Sequence, residues 1–236
     1  MSGMRFRQKG ELRQSSRELG RNSRLLESVT IIPYNPKDSK DALVLKSRIR
    51  GEPLNAGLYN DLGVQLTKEK KLKEAEKVLR AGLKVDPQDS DLWDNLGVAL
   101  AEQNETAKAE KAFERAIKLS SDIPVYYAHL ANIYIQQDLF ASAILVCDRF
   151  LGGEQDDPGI RMILGTAFLG KGLRGLAIDQ FEIAAQLTAD PSGVEELAEL
   201  NKQAKKLIEE IKALRYTHAP DTKAGIKQIV KRAMEQ

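Results

Sequence analysis

The chain of 236 residues has one cysteine, Cys147, and two histidines, His129 and His218. A single cysteine excludes an internal disulfide and a metal cluster, and it suits a reducing compartment. Two lone histidines make no metal site by themselves, and no H-E-x-x-H pattern occurs. Aromatic residues amount to 6% of the chain. No run of about 18 apolar residues exists, so no membrane-spanning helix is expected. The N-terminus lacks an apolar core of the kind a secretory signal requires. It is rich in Arg and Ser, as a mitochondrial presequence would be, but Glu11, Glu18 and Glu27 interrupt it, whereas presequences are poor in acids. The expected compartment is therefore cytoplasmic, with a mitochondrial location less favoured.

What is present is charge, helix-forming residues and repetition. Apolar residues make up 42% of the chain and charged ones 30%, a balance that suits a well-solvated helical protein. The net charge of +2 is unevenly placed. Residues 1–50 carry 12 Lys and Arg against 5 Asp and Glu, whereas residues 56–191 carry 15 against 21. A basic arm thus precedes an acidic body.

A pattern returns every 34 residues across that body. Gly63, Gly97, Ala131 and Gly165 are in register, each preceded by Leu: Leu62, Leu96, Leu130 and Leu164. A second small position gives Ala75, Ala109, Ala143 and Ala177 without a slip. Four repeats follow in unbroken phase, 56–89, 90–123, 124–157 and 158–191. Within each, apolar residues at spacings of three and four predict two helices; in the first repeat these are Tyr59, Leu62 and Leu66, then Leu72, Ala75 and Leu79. The turn between the helices carries Lys70, Asn104, Asp138 and Gly172 at one position, and three of those four residue types tolerate a left-handed backbone. Small residues are expected where the two helices of a repeat approach closely, since a larger side chain there would cost roughly 1–3 kcal/mol.

Outside the repeats the pattern changes. Residues 1–28, with Arg5, Arg7, Lys9, Arg13, Arg17, Arg21 and Arg24, hold too little apolar surface to offset ordering entropy and read as a flexible arm. In the span 29–55, Val29 to Pro36 should run extended. Ser39 then caps a short helix whose apolar side is Ala42, Leu43, Leu45 and Ile49. Pro53 stands one period before Pro87, so 39–51 reads as the second helix of a degenerate half repeat. After residue 191 the phase breaks: Ala198 and Glu199 replace the Leu–Gly pair. Residues 192–216 predict one long capping helix, with Leu200, Ala204, Leu207, Ile211 and Leu214 in a heptad-like stripe. Residues 217–236 read as a linker and a short basic amphipathic helix with Ile226, Ile229, Val230 and Met234 on one side.

Trp93-x2-Leu96-Gly97-x2-Leu100 followed by Ala109-x3-Phe113-x2-Ala116 resembles the tetratricopeptide repeat, and Leu164-Gly165-x2-Phe168 with Ala177-x3-Phe181 and Ala184 resembles it equally. The third repeat departs most, with Ala131, Cys147 and Phe150 where Gly, a large apolar residue and Ala are usual. The resemblance implies an all-α fold, a right-handed superhelical solenoid of antiparallel helix pairs. It also implies protein binding without catalysis or cofactor, in a concave groove lined by the first helix of each repeat. The corresponding positions here are Asn60, Val64 and Thr67; Asp94, Val98 and Ala101; Ala128, Asn132 and Ile135; and Met162, Thr166 and Leu169. One subgroup of the family clamps acidic chaperone tails with Lys, Asn and Arg. Asn60 and His129 stand at clamp lysine and arginine positions and only Asn95 matches, which argues against that role. A mildly apolar groove with neutral amides suits an amphipathic helix or an extended apolar segment of a partner protein.

No catalytic constellation emerges. Gly170-Lys171-Gly172-Leu173-Arg174-Gly175 fits G-x-G-x-x-G, but it falls between two predicted helices and lacks the strand a dinucleotide site requires. Cys147 sits at a repeat core position and reads as a small buried hydrophobe. Asp156 and Asp157 read as cap and surface residues. The expectation is thus a non-enzymatic adaptor or assembly factor with a protein partner and no small-molecule substrate. Two alternatives stay open: self-association through the stack, and a nucleic-acid or anionic-membrane role for the basic arm, which charge alone would support.

Overall fold

A computed structural model describes residues 32–33, 35–153, 155–189, 195–214 and 219–234. All regular structure among them is helical. The chain divides into two compact units, Met1–Ala112 and Phe113–Gln236.

In the first unit the helices are α1 (Lys40–Gly51), α2 (Ala56–Lys68), α3 (Leu72–Val85), α4 (Ser90–Glu102) and the start of α5 (Thr106–Leu119). Consecutive helices α1 to α4 pack on one another, and α2 also packs beside α4, so the first helices of successive pairs are neighbours. The caps are local chemistry: the Ser39 hydroxyl accepts the Ala42 N–H at 3.2 Å, and the Asp89 carboxylate accepts the Leu92 N–H at 3.0 Å. Leu62, Leu66, Leu79, Leu92 and Leu96 are buried between the helices. A Cβ added at Gly63 would run into the Leu79 side chain and force it to shift where α2 crosses α3.

One side chain in α1 reverses the sequence expectation. The buried stripe is Ala42, Lys46 and Ile49, at positions i, i+4 and i+7, while Leu43 and Leu45 are half-buried and Val44 is exposed. Lys46 Nζ lies 2.6 Å from Asp38 Oδ2, 2.5 Å from Glu74 Oε1 and 3.3 Å from the Pro33 carbonyl. Lys71 reaches the other Asp38 oxygen at 2.9 Å and Glu69 at 2.7 Å; Glu69 in turn accepts from Ser39 and Gln65. Burial opposes both charges, yet the facing groups prevail. The ammonium groups of Lys46 and Lys71 hold the Asp38 carboxyl below its usual range, and Asp38 and Glu74 hold Lys46 above its own. The network ties the entering segment to α1, α2 and α3.

In the second unit, α6 (Pro124–Gln136), α7 (Phe140–Leu151), α8 (Pro158–Gly170), α9 (Arg174–Leu187), α10 (Glu195–Ala213) and α11 (Ala219–Met234) follow. Pro124 and Pro158 open α6 and α8, where the missing N–H costs nothing. The Asp157 carboxylate caps α8 by accepting the Ile160 N–H at 2.8 Å, and Asp156 instead pairs with Arg161 at 2.7 Å. Successive helices from α6 to α9 pack in order, α6 lies beside α8, and α10 lies along α9. The inner face of α10 is Asn201, Ala204, Leu207, Ile208 and Ile211; Leu200 and Leu214 of the expected stripe are only half-buried. Asn201 donates to the Ala185 carbonyl at 2.7 Å and to the Thr188 hydroxyl at 3.1 Å, satisfying acceptors at the C-terminus of α9. The last helix begins at Ala219, inside the stretch read as a linker.

All four turn residues are left-handed: Lys70 at φ 58°, Asn104 at 61°, Asp138 at 58° and Gly172 at 79°. Lys70 is the one whose side chain gains nothing locally from that conformation, and its ion pair with Glu102, 2.8 Å, is largely exposed. Lys70→Gly should therefore raise the stability of the first unit by about 0.5–1 kcal/mol. Guanidinium unfolding followed by the fluorescence of Trp93, the sole tryptophan, measures this; a loss of stability would show that the ion pair matters more than the backbone.

Candidate partner-binding groove

The residues expected to line a groove fall on the first helices of the pairs. In the first unit these are α2 and α4. Asn60, Val64, Thr67, Val98 and Ala101 are half-buried, and Asp94 is buried. Asn95 donates from Nδ2 to Asn60 Oδ1 at 2.8 Å, joining the two helices by their amides. The Thr67 hydroxyl donates back to the Gly63 carbonyl at 2.9 Å, which leaves its methyl to face outward with Val64. Val64, Val98 and Ala101 are the apolar members of this set, and the Asn60–Asn95 amide pair and the Asp94 carboxylate are its polar ones.

In the second unit the expected residues lie on α6 and α8. Ala128 and Asn132 are half-buried and Ile135 is buried. On α8 all three positions are covered: Met162 is 9% exposed, Thr166 6% and Leu169 0%. The Thr166 hydroxyl donates to the Met162 carbonyl at 2.8 Å, so this face presents no unsatisfied polar group. Arg5, Arg7, Lys9, Arg13, Arg17, Arg21 and Arg24 of the basic arm lie outside the described residues.

The G-x-G-x-x-G segment is a helix junction: α8 ends at Gly170, Gly172 takes the turn and α9 begins at Arg174. A Cβ at Gly170 would collide with the Phe140 ring, so that glycine serves packing. Cys147 is fully buried, and burial with the neighbouring Asp148 charge pushes its thiol up to about 12, the opposite of an activated nucleophile. Among the described residues no group of three His, Cys, Asp or Glu could hold a metal ion, and no helix is long and apolar enough to cross a membrane. The network around Lys46 was the feature that periodicity missed. Its one sequence signal is a lysine at i+4 and i−3 from Ala42 and Ile49, on what is otherwise an apolar stripe.

Residues 46–124 match the family model of the tetratricopeptide repeat. That stretch carries tetratricopeptide repeats. Among solved structures it is similar to MamA, with 22% identity and a TM-score of 0.56 over 64% of this chain and 88% of that one. It is also similar to YrrB, described as a TPR protein with an unusual peptide-binding site, with 17% identity and a TM-score of 0.53 over 83% of this chain and 100% of that one. At such identities these likenesses are of fold. No curated protein matches the sequence. Tetratricopeptide repeats serve as protein-interaction scaffolds, and in each unit of this chain the first helices of the pairs stand side by side.

Proposed function

We propose that the protein is a non-catalytic adaptor or assembly factor that holds a helix or extended segment of a partner protein against the first helices of its repeats. The observation that carries this reading is the half-buried face of α2 and α4. There Val64, Val98, Ala101 and the Thr67 methyl make an apolar strip, and the Asn60–Asn95 amide pair supplies orientation. A partner segment gains affinity by covering the strip and specificity by pairing with the amides, whose mutual hydrogen bond leaves further donor and acceptor sites for a ligand.

Val98→Glu places a charge in the middle of that strip at a half-buried position, where the fold tolerates it. The expected result is loss of the captured partner by at least about tenfold, because a desolvated unpaired carboxylate is strongly disfavoured in an apolar contact. Affinity capture with quantitative mass spectrometry, comparing the full chain with the variant and monitoring helix content by circular dichroism, tests it. A partner retained equally by both proteins would rule out this strip as the binding surface.

A further inference from the structure

The two helices that close the sequence do different things. α10 continues the stack by packing along α9. α11 turns back, and the helices packed against it are chiefly α8 and, more lightly, α10. Its inner residues are Ile226, Ile229 and Val230, at i, i+3 and i+4, exposed by only 8%, 2% and 9%, while Lys227 and Gln228 face out. On α8, the positions equivalent to Asn60, Val64 and Thr67 are Met162, Thr166 and Leu169. They are buried, whereas that first set is half-buried. The difference between the two faces coincides with the presence of α11.

We infer that α11 is a ligand of its own chain: it occupies the Met162–Thr166–Leu169 face of α8 as a partner helix would, and a partner entering there must displace it. This rests on the partner-binding reading above and specifies the partner chemistry for the second unit. The incoming segment is an amphipathic helix with β-branched or aliphatic residues at i, i+3 and i+4 and polar residues on its outer face. The receiving surface supports such exchange. Met162 adapts its shape to different side chains, and Thr166 has its hydroxyl satisfied within α8, so removing one helix and seating another strands no polar atom on this face. Among the described residues the buried side chains of α11 are Ile226, Ile229 and Val230, and a terminal helix of this kind belongs to the part of a fold that opens before the rest.

The size of the effect follows from tethering. A covalently linked helix acts at an effective concentration of about 1 mM. Against a free helix that binds the bare surface at about 10–100 μM, it raises the apparent dissociation constant about 10- to 100-fold. The probe is a fluorescein-labelled peptide of residues 219–236, titrated by anisotropy into full-length protein. Ile229→Glu, which expels α11 by burying an unpaired charge, should bind the peptide at least tenfold more tightly than the wild type. Adding Thr166→Glu to that opened protein should abolish the gain. Ile229→Ser is the milder second variant if Ile229→Glu loses helix content, and it should give an intermediate gain. Equal binding to wild type and opened protein would overturn self-occupancy while leaving the groove reading intact. No binding to the opened protein would overturn the inference at this site. The Val98→Glu measurement, in the other unit, reports on the groove reading independently.

Discussion

Lys46→Met should destabilise the first unit by about 3 kcal/mol, the low end of the range for breaking a buried ion pair. Lys46 is fully buried, and so is the Asp38 carboxylate it contacts at 2.6 Å. Methionine fills the volume but leaves Asp38 with Lys71 as its cation among the described residues and frees a Glu74 oxygen that can turn to water, since Glu74 keeps 29% exposure. That route to solvent is why the low end is expected. The pH dependence separates charge from packing. In the wild type the Asp38 pKa is depressed, so its contribution is present above the ordinary aspartate value of 3.8 and is lost as pH falls through the lower folded value. The Lys46 pKa is raised, so its contribution is present below 10.5 and is lost as pH rises through the higher folded value. Stability from this network is thus flat from about pH 5 to 9. In the variant, burial without Lys46 pushes Asp38 up, so acidification relieves the penalty. The gap between the two proteins should narrow as pH falls below about 5. Denaturant unfolding read by Trp93 fluorescence across pH measures this. Asp38→Asn with Lys46→Met should recover part of the loss at neutral pH and show no narrowing. A variant as stable as the wild type at pH 7 would mean the cluster is neutral to the fold.

Gly165→Ala should cost the second unit about 1–3 kcal/mol through overpacking. A Cβ there would stand 2.6 Å from Phe181 Cε1 and 2.9 Å from Cδ1 and Cζ, and the ring is fully buried. The third repeat shows how the same crossing admits a methyl group. Ala131 stands one period before Gly165, and the residue one period before Phe181 is Cys147, a much smaller side chain. Both Ala131 and Cys147 are fully buried. Small and large exchange places across the α6–α7 and α8–α9 pairs, keeping the filled volume near constant. Phe181→Cys alone should leave a cavity and cost about 3 kcal/mol or more. Combined with Gly165→Ala it should cost less than the sum of the single changes, by at least about 1 kcal/mol of coupling. Thermal unfolding followed by circular dichroism gives all three values. Strict additivity would mean that the two positions do not share the same space.

The departure of the third repeat from the family pattern was visible in the residues, but its meaning was not. Read singly, Ala131 and Cys147 weaken the motif; read as a pair across two helices, they are one substitution. The turn at Lys70 gives a similar lesson. Residue preference favoured a left-handed backbone at Asn104, Asp138 and Gly172, and Lys70 adopts it too because the same helix-to-helix geometry recurs at that position.

What the sequence determined by itself is whatever local spacing encodes. The helix pairs, the Ser39, Asp89 and Asp157 caps, the glycines at helix crossings and the turn between α8 and α9 each follow from neighbours within a turn or one period. The tertiary structure decided what depends on elements far apart in the chain. Lys46 points inward because Asp38 and Glu74, 8 residues before and 28 after it, converge on its ammonium. Met162, Thr166 and Leu169 are covered where their counterparts on α2 are half-open. α8 packs against α6, α7, α9, α10 and α11, the last some 60 residues later in the chain. Periodicity shows that a helix has an apolar face; which surface that face covers is settled by packing.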